Sequence, residues 1–393
     1  MPIRIGTDCS GMEAPVQAMR NLGVRYSHEF SCDVDRYARA TIAANFPHGR
    51  MYEDVTTRDN TTAPSCDVYI AGFPCQPFSM AGQKQGFDDE RGRGKIFFYV
   101  RDYIARQKPR AFVLENVAGL KNINKGEYLA AILKSLAQLG TYNVHFGTLN
   151  TKEHGVPHNR KRCYIVGIRK DVDQGSFSYP EPVKCPSIER FLEPRAKDAK
   201  VAAGALPATA PTAATNVRTA LRTIKREGSD PLREPFLVDC DSSSYRFGWQ
   251  QGVSPCITCR RGAGHWVTNH GRRLLKTEMM RLQGMDPRTF KVVISDMQLG
   301  RQLGNTMSVN VMERLFVKLL PAAGLARRGA IRDRWADGSA VRALAATRGA
   351  GFAARFGKLA AKARAPRAQG PAPALKRKAS RSPSPLGQVG EVP

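Results

Sequence analysis

The residues of this chain best suited to chemistry are a cysteine between prolines, an acid–amide pair closing an apolar run, and two arginines opening another. Cys75 sits in Gly72-Phe73-Pro74-Cys75-Gln76-Pro77-Phe78-Ser79. The prolines restrict the backbone on both sides of the thiol, so the loop is stiff. A free thiol with a pKa of about 8.5 is only a few per cent thiolate at neutral pH, so nearby cations are expected to activate it. Glu115 and Asn116 follow Ala111-Phe112-Val113-Leu114. A carboxyl at the tip of a buried strand is kept partly protonated by desolvation and can donate that proton, and the amide beside it is suited to bracing the cysteine loop. Arg160 and Arg162 precede Cys163-Tyr164-Ile165-Val166-Gly167. Strand alternation turns both toward one face, where two guanidiniums suit a carbonyl oxygen and a phosphate.

These groups need a scaffold. Strand-like apolar runs occur at 3–8, 26–32, 67–71, 111–114, 144–149 and 163–168, with helix-like stretches at 14–22, 36–45, 95–106 and 128–139. In the first of these helices Val16, Met19 and Leu22 recur at helical spacing, and Gly23 is placed to end it. Such alternation predicts an α/β fold with a mostly parallel sheet covered on both faces. Ligands of such sheets bind at the carboxyl ends of the strands, and Cys75 and Glu115 fall there. After about residue 171 the texture changes. Residues 201–215 are Ala/Pro/Thr-rich and read as a linker or exposed loop. Residues 236–266 are rich in Ser, Gly, aromatic residues and Arg, with few helix signals, while 272–320 return to helical periodicity.

The 393 residues allow one large core, or a large and a small one. The apolar share of 42% is ordinary for a globular chain, and no run approaches the roughly 18 apolar residues of a membrane span. The N-terminus lacks the build of a signal peptide, so the chain is expected not to be secreted. Nine cysteines in this length make no disulfide framework and fit a reducing compartment. The net charge is +27; from Ala322 onward 15 Lys/Arg stand against 3 Asp/Glu, which leaves the body at +15. A body basic in its own right points to a polyanionic partner.

The order and spacing of these blocks resemble the DNA cytosine-5 methyltransferase family, from about residue 3 to 320. The resemblance implies a Rossmann-like S-adenosyl-L-methionine-dependent methyltransferase fold with a small irregular target-recognition domain, acting on double-stranded DNA as a monomer without a metal. It implies that Cys75 adds to C6 of a flipped cytosine, that Glu115 donates to N3 while Asn116 braces the loop, and that Arg160 and Arg162 meet O2 and a phosphate. The methyl group then passes to C5. It further implies a cofactor pocket from Asp8, Cys9, Ser10, Gly11 and Met12 in the first glycine loop, and from Asp33 and Val34 at the ribose and adenine. Asp54 and Val55 belong to the block at the adenine amino group, Gly72 and Pro74 to the cysteine loop, and Asn305, Ser308 and Val309 to the last block. Arg273-Leu274-Leu275 with Glu278 and Arg281-Leu282-Gln283-Gly284 resembles the block that supports the recognition domain. Two positions depart from the family: Cys9 where many members carry an aromatic, and His158 in place of a Gln.

Four divisions follow: a catalytic and cofactor-binding part at 1–170, target recognition at 171–271, a return to the catalytic domain at 272–321, and a basic, disordered tail at 322–393. Within the recognition region Tyr245, Arg246, Trp249, Gln250, Gln251, Arg260 and Arg261 are the candidate DNA-reading residues, since Arg and Gln match guanine and adenine edges. Cys256 and Cys259 form a lone C-x2-C pair without the second pair a zinc site needs. The fragment 376–385, Lys376-Arg377-Lys378-Ala379-Ser380-Arg381-Ser382-Pro383-Ser384-Pro385, reads as a nuclear import signal or as a nucleic-acid arm; without import the compartment is the cytoplasm. Two rivals stand beside DNA methylation. A transfer-RNA cytosine methyltransferase usually carries a Cys-Phe-Thr block, which is not found here. A DNA-binding cofactor that has lost catalysis would have a broken Pro-Cys or Glu-Asn block, and both are intact. A catalytic domain that starts at the first residues predicts no N-terminal regulatory domain.

Overall fold

A computed structural model describes residues 1–74, 95–195 and 210–349. Seven strands form the main sheet: β1 (Ile3–Asp8), β2 (Tyr26–Cys32), β3 (Arg50–Tyr52), β4 (Val68–Ala71), β5 (Ala111–Val117), β6 (Tyr142–Asn150) and β7 (Lys161–Arg169). Their order is β3-β2-β1-β4-β5-β7-β6. The five strands β1 to β5 pair in parallel, and β7 runs antiparallel to both β5 and β6. β1, β4 and β5 are apolar and almost continuously buried because helices cover both faces. On one face lie α1 (Ala14–Asn21), α2 (Arg36–Asn45) and α8 (Val309–Ala322), with Val16, Met19, Ile42, Leu315 and Phe316 in the core. On the other lie α3 (Ile96–Gln107) and α4 (Glu127–Ala137), which bury Phe97, Tyr103, Ile132 and Leu136 against Phe30, Tyr69 and Phe112. Strand order reverses between β1 and β4, and the crevice outside their carboxyl ends is the binding position of such sheets. The expected strands and helices are all present; the three-residue β3 is too short to show alternation.

The region read as target recognition is more regular than expected. β8 (Phe236–Val238), β9 (Trp249–Gln251), β10 (Trp266–Val267) and β11 (Arg272–Arg273) form an antiparallel sheet, order β11-β10-β8-β9. Helix α5 (Pro211–Arg226) packs Ala213, Val217, Ala220 and Ile224 on it. The expected linker therefore ends by Ala210, and its residues 201–209 lie outside the described residues. Pro211, within that stretch, occupies the first turn of α5, where its missing N–H costs nothing. Strands of two or three residues leave no periodic trace in sequence.

α6 (Lys276–Arg281), α7 (Asp296–Asn305) and α8 return the chain to the main body. The tail expected from residue 322 is corrected: the chain stays folded to Gly349, and α9 (Ser339–Ala345) buries Ala340, Val341 and Leu344 in the main core. The rest of that tail, including 376–385, lies outside the described residues. Trp335 is 3% exposed and donates from Nε1 to Glu313 (3.1 Å), which also accepts from Asn21 Nδ2 (2.7 Å). One tryptophan and a few small apolar residues suffice because they extend an existing core. Burial raises the Glu313 carboxyl to about 7, against the pull of Arg334. A raised folded-state pKa means the protonated acid is the stabilising form. That contribution is complete below about pH 4.5 and is lost as pH rises through about 7, amounting to about 3 kcal/mol. Glu313→Gln is therefore expected to flatten the fall in stability between pH 5.5 and 8, as read by urea unfolding.

Candidate functional site

The carboxyl ends of β1, β4 and β5 open on a pocket. Its walls come from Thr7 to Gly11 at the end of β1 and beyond, from Ala14 and Pro15 at the start of α1, and from Ile70 on β4 and Gly72 just after it. Glu115 on β5 and Asn305 to Met307 between α7 and α8 complete it. A Cβ on Gly72 would stand 2.9 Å from Met307 Cε, so a larger residue would push that wall back. Asp8, Cys9, Ser10, Gly11, Gly72 and Asn305 thus line one cavity, as the resemblance implies.

Asp8 is held below the cavity. Its oxygens accept from Arg58 at 2.5 and 2.7 Å and from the Tyr69 hydroxyl, with both side chains of the ion pair fully buried. Arg58 lies against the rings of Phe30 (4.9 Å), Tyr103 (5.0 Å) and Tyr52 (5.3 Å). This cage sets the end of β1 before any ligand arrives. Arg58→Met leaves the Asp8 carboxylate buried without its cation and is expected to cost about 3–5 kcal/mol of unfolding free energy, measurable by denaturant titration.

Asp33 accepts from the backbone N–H of Gly11 at 2.8 Å, which ties the end of β2 to the glycine loop. Burial raises its carboxyl, against the backbone bonds that lower it. Burial, reinforced by Asp33 and Asp8, also pushes the Cys9 thiol well up, so it stays protonated. Val34 is 71% exposed just beyond β2. Asp54 accepts from Thr56 N at 2.8 Å, and Val55 is buried beside it. Met12, Ser308 and Val309 are buried. Ser308 Oγ lies 2.7 Å from Thr151 Oγ1 and donates to Gln283 at 3.2 Å, and Val309 N donates to Gln283 O at 2.8 Å. The residues present fit the implied cofactor: backbone N–H groups at the start of α1 suit a carboxylate, and the end of β2 offers an acid, Asp33, beside the exposed apolar Val34.

Beside this cavity stands the acid–cation cluster. Glu115 Oε1 is 3.3 Å from Arg162 Nε, both side chains being nearly buried. Burial raises the Glu115 carboxyl, and Arg162 and Arg160 only partly offset it. Asn116 reaches back from β5 and donates to Phe73 O at 3.4 Å, two residues before Cys75. Pro74 is the last residue described there; Cys75 and the rest of its loop lie outside the described residues. Arg160 is 3% exposed and donates to the carbonyls of Ile257 (3.0 Å), Gly304 (3.1 Å) and Thr306 (2.7 Å). Both guanidiniums approach Cys256 Sγ, Arg162 at 3.7 Å and Arg160 at 3.8 Å. Burial pushes the Cys256 thiol up, but Arg162 and Arg160 outweigh it and hold the thiol below its ordinary value. His158 is fully buried: Nδ1 faces Leu282 O at 2.9 Å and Nε2 accepts from Ile257 N at 3.0 Å. Burial and Arg160 keep it neutral, so it donates to Leu282 and leaves the cavity untouched.

The candidate DNA-reading residues divide. Tyr245 is 83% exposed, and Arg246 and Arg260 are exposed as well. Trp249 packs on Phe247 at 6.0 Å in the small core. Gln250 Oε1 accepts from Asn159 at 3.3 Å, Gln251 donates to Glu234 at 2.5 Å, and Arg261 pairs with Asp239. Among the described residues no cluster of His, Cys, Asp or Glu is placed to hold a metal ion, and no helix is long and apolar enough to cross a membrane. Sequence reasoning missed Arg58 and the place of Cys256, weighed only as half of a zinc pair. It also missed the exposed stripe Arg218, Arg222 and Lys225 on α5, whose spacing signals one helix face once a helix is expected there.

Comparison with known proteins agrees with this geometry. Residues 8–320 match the C-5 cytosine-specific DNA methylase family. The chain is 33% identical to the Type II methyltransferase M.NgoBI of Neisseria gonorrhoeae over 288 residues, 72% of this chain and 83% of that one. It is 33% identical to M.HpaII of Haemophilus parainfluenzae over 337 residues, 78% and 86% of the two chains. Among solved structures, a methyltransferase of Entamoeba histolytica, EhMeth, superposes with a TM-score of 0.57 at 16% identity, covering 81% of this chain and 98% of that one, which is a likeness of fold. The two sequence relatives are bacterial, so nothing supports the nuclear address read from 376–385. The chain belongs to the C-5 cytosine-specific DNA methylase family and is a DNA cytosine-5 methyltransferase that draws its methyl group from S-adenosyl-L-methionine.

Proposed function

We propose that this enzyme methylates cytosine in double-stranded DNA with Cys75 as nucleophile, Glu115 as acid and Arg162 as the cation at cytosine O2. The observation that carries the reading is Glu115 itself, which lines the cofactor cavity while holding Arg162 at 3.3 Å. The Cys75 thiolate adds to C6 and Glu115 gives its proton to N3, so electron density moves to C5. Bound S-adenosyl-L-methionine supplies a methyl group on a sulfonium, for which C5 is then the nucleophile. A base takes the C5 proton, the thiolate leaves C6, and N3 returns its proton to Glu115, which restores the ring and the acid. Arg160, hydrogen-bonded to three carbonyls, acts as a positioning residue. Asp33 and Val34 hold the ribose and adenine, and the Gly11 loop with the start of α1 holds the carboxylate.

The catalytic domain comprises 1–170 and 272–321, with 322–349 as its closing segment, and 171–271 is the recognition region. Tyr245, Arg246 and Arg260 meet the DNA, and Arg218, Arg222 and Lys225 of α5 track its backbone. The enzyme works as a monomer without a metal, in the cytoplasm shared with a bacterial chromosome. Residues 350–393 act as an electrostatic arm on the same DNA, since Lys/Arg-rich segments bind phosphates by counterion release. Labelled methyl transfer to duplex DNA and to transfer RNA, followed by bisulfite sequencing of DNA from an expressing host, tests the reading. Methylation at one short sequence in duplex DNA is expected; label only in transfer RNA would overturn it.

A further inference from the structure

The loop between β1 and α1 begins and ends on two residues that are not glycine and yet are left-handed, Cys9 (φ 51°) and Glu13 (φ 53°). Side chains with a Cβ seldom adopt that region, and where they do the surroundings must hold them there. At Glu13 the holding contacts are visible. The residue is fully buried, and its carboxylate turns back beneath the loop instead of capping α1. Oε1 accepts from Thr7 Oγ1 and from Ser31 Oγ, both at 2.6 Å. Thr7 and Ser31 stand opposite each other in the β1–β2 pairing, so one oxygen clasps both strands near their carboxyl ends.

The carboxylate also sets the direction of the hydroxyls around it. Thr7 and Ser31 each give their single proton to Glu13, so Thr7 accepts from Ser10 Oγ at 2.7 Å and Ser31 accepts from His28 Nε2 at 3.0 Å. Ser10 Oγ in turn accepts from Cys32 N at 3.0 Å, and Ser10 N donates to Cys32 O at 3.1 Å. His28 Nε2 lies 3.5 Å from Glu13 Oε1. Ser10 and Gly11 line the pocket above this network. Glu13, fully buried beneath them, cannot touch a ligand there.

We infer that Glu13 is a positioning residue for S-adenosyl-L-methionine: without meeting the ligand, its carboxylate holds loop 9–13 in the shape that receives it. The inference rests on the reading that this loop holds the cofactor's carboxylate. Charge-assisted hydrogen bonds from two strands to one oxygen fix the loop in advance, so less ordering remains for binding to bring about.

Glycine is the discriminating substitution, because on backbone grounds it suits a left-handed position better than glutamate does. If the backbone conformation were all that mattered, Glu13→Gly would keep or improve cofactor affinity. With the carboxylate as the strut, calorimetric titration of the full chain with S-adenosylhomocysteine is expected to show affinity falling about tenfold or more. KM for S-adenosyl-L-methionine should rise by a similar factor, while kcat at saturating cofactor stays within about threefold, since Glu115 and Arg162 are paired elsewhere. Ser31→Ala keeps Glu13 and removes one donor; it should weaken binding about threefold or more and add nothing further in the Glu13→Gly background. Should Glu13→Gly not fold, Ser31→Ala decides. A folded Glu13→Gly variant with wild-type affinity overturns the inference, as does a Ser31→Ala variant whose melting temperature falls while its affinity stays intact. Wild-type enzyme that binds methylthioadenosine, which lacks the amino-acid carboxylate, as tightly as S-adenosylhomocysteine removes the loop reading beneath it, an outcome neither variant mimics.

Discussion

Cys75→Ser is expected to abolish methyl transfer, lowering turnover by about 10³-fold or more, which is about 4 kcal/mol of barrier. A thiol a unit or two above neutrality supplies thiolate readily beside cations. A serine hydroxyl is far less acidic, and the one carboxyl of the described cluster, Glu115, is raised by burial and serves as a proton donor. The variant should still bind S-adenosylhomocysteine, because the described cavity is walled by other residues. Duplex DNA carrying 5-fluorocytosine sharpens the measurement. With fluorine at C5 no proton can leave, so the C6–sulfur bond persists and a covalent complex survives denaturing electrophoresis. Wild type is expected to form it and Cys75→Ser is not; absence of an adduct with wild-type enzyme under turnover conditions would refute attack at C6.

The second large effect concerns the acid. Glu115→Gln keeps the shape but cannot release a proton to N3, and turnover should fall about 10²–10⁴-fold. The pH profile gives an independent reading. Burial raises the Glu115 carboxyl, so the active protonated form survives to higher pH than for an exposed glutamate. Turnover should be highest below that shifted pKa and decline as pH rises through it. Arg162 opposes the shift most strongly, so Arg162→Met should move the alkaline limb to higher pH while reducing the rate. Cys256 raises the Glu115 pKa, so Cys256→Ser should move the limb to lower pH. Limbs that stay put in both variants would remove Glu115 as the titrating acid.

The mostly parallel sheet was legible because β1, β4 and β5 are short apolar runs set between helix signals. The meeting of Glu115 with Arg162, and the bracing of the cysteine loop by Asn116, were legible because local spacing carries them: a strand tip and a strand start. The glycine loop and the last block were legible as pocket walls for the same reason. The folded stretch 322–349 was not, since its few apolar residues are buried only by joining a core that α1 and α8 have already formed. Nor was α5, whose first turn begins with a proline that composition marks as linker.

What the sequence by itself determined is the chemistry: which side chains are available, and on which side of the sheet the chain must deliver them. Only the tertiary structure decided how those side chains are engaged. Arg160, indistinguishable from Arg162 in sequence, is held by the carbonyls of Ile257, Gly304 and Thr306, while Arg162 faces Glu115. Asp8 is neutralised by Arg58, fifty residues away, and Cys256 comes to the guanidiniums from about a hundred residues downstream. The physical reason is common to all three. Buried charges and backbone carbonyls must find partners wherever the fold brings them, and partners so distant in sequence leave no local pattern to read.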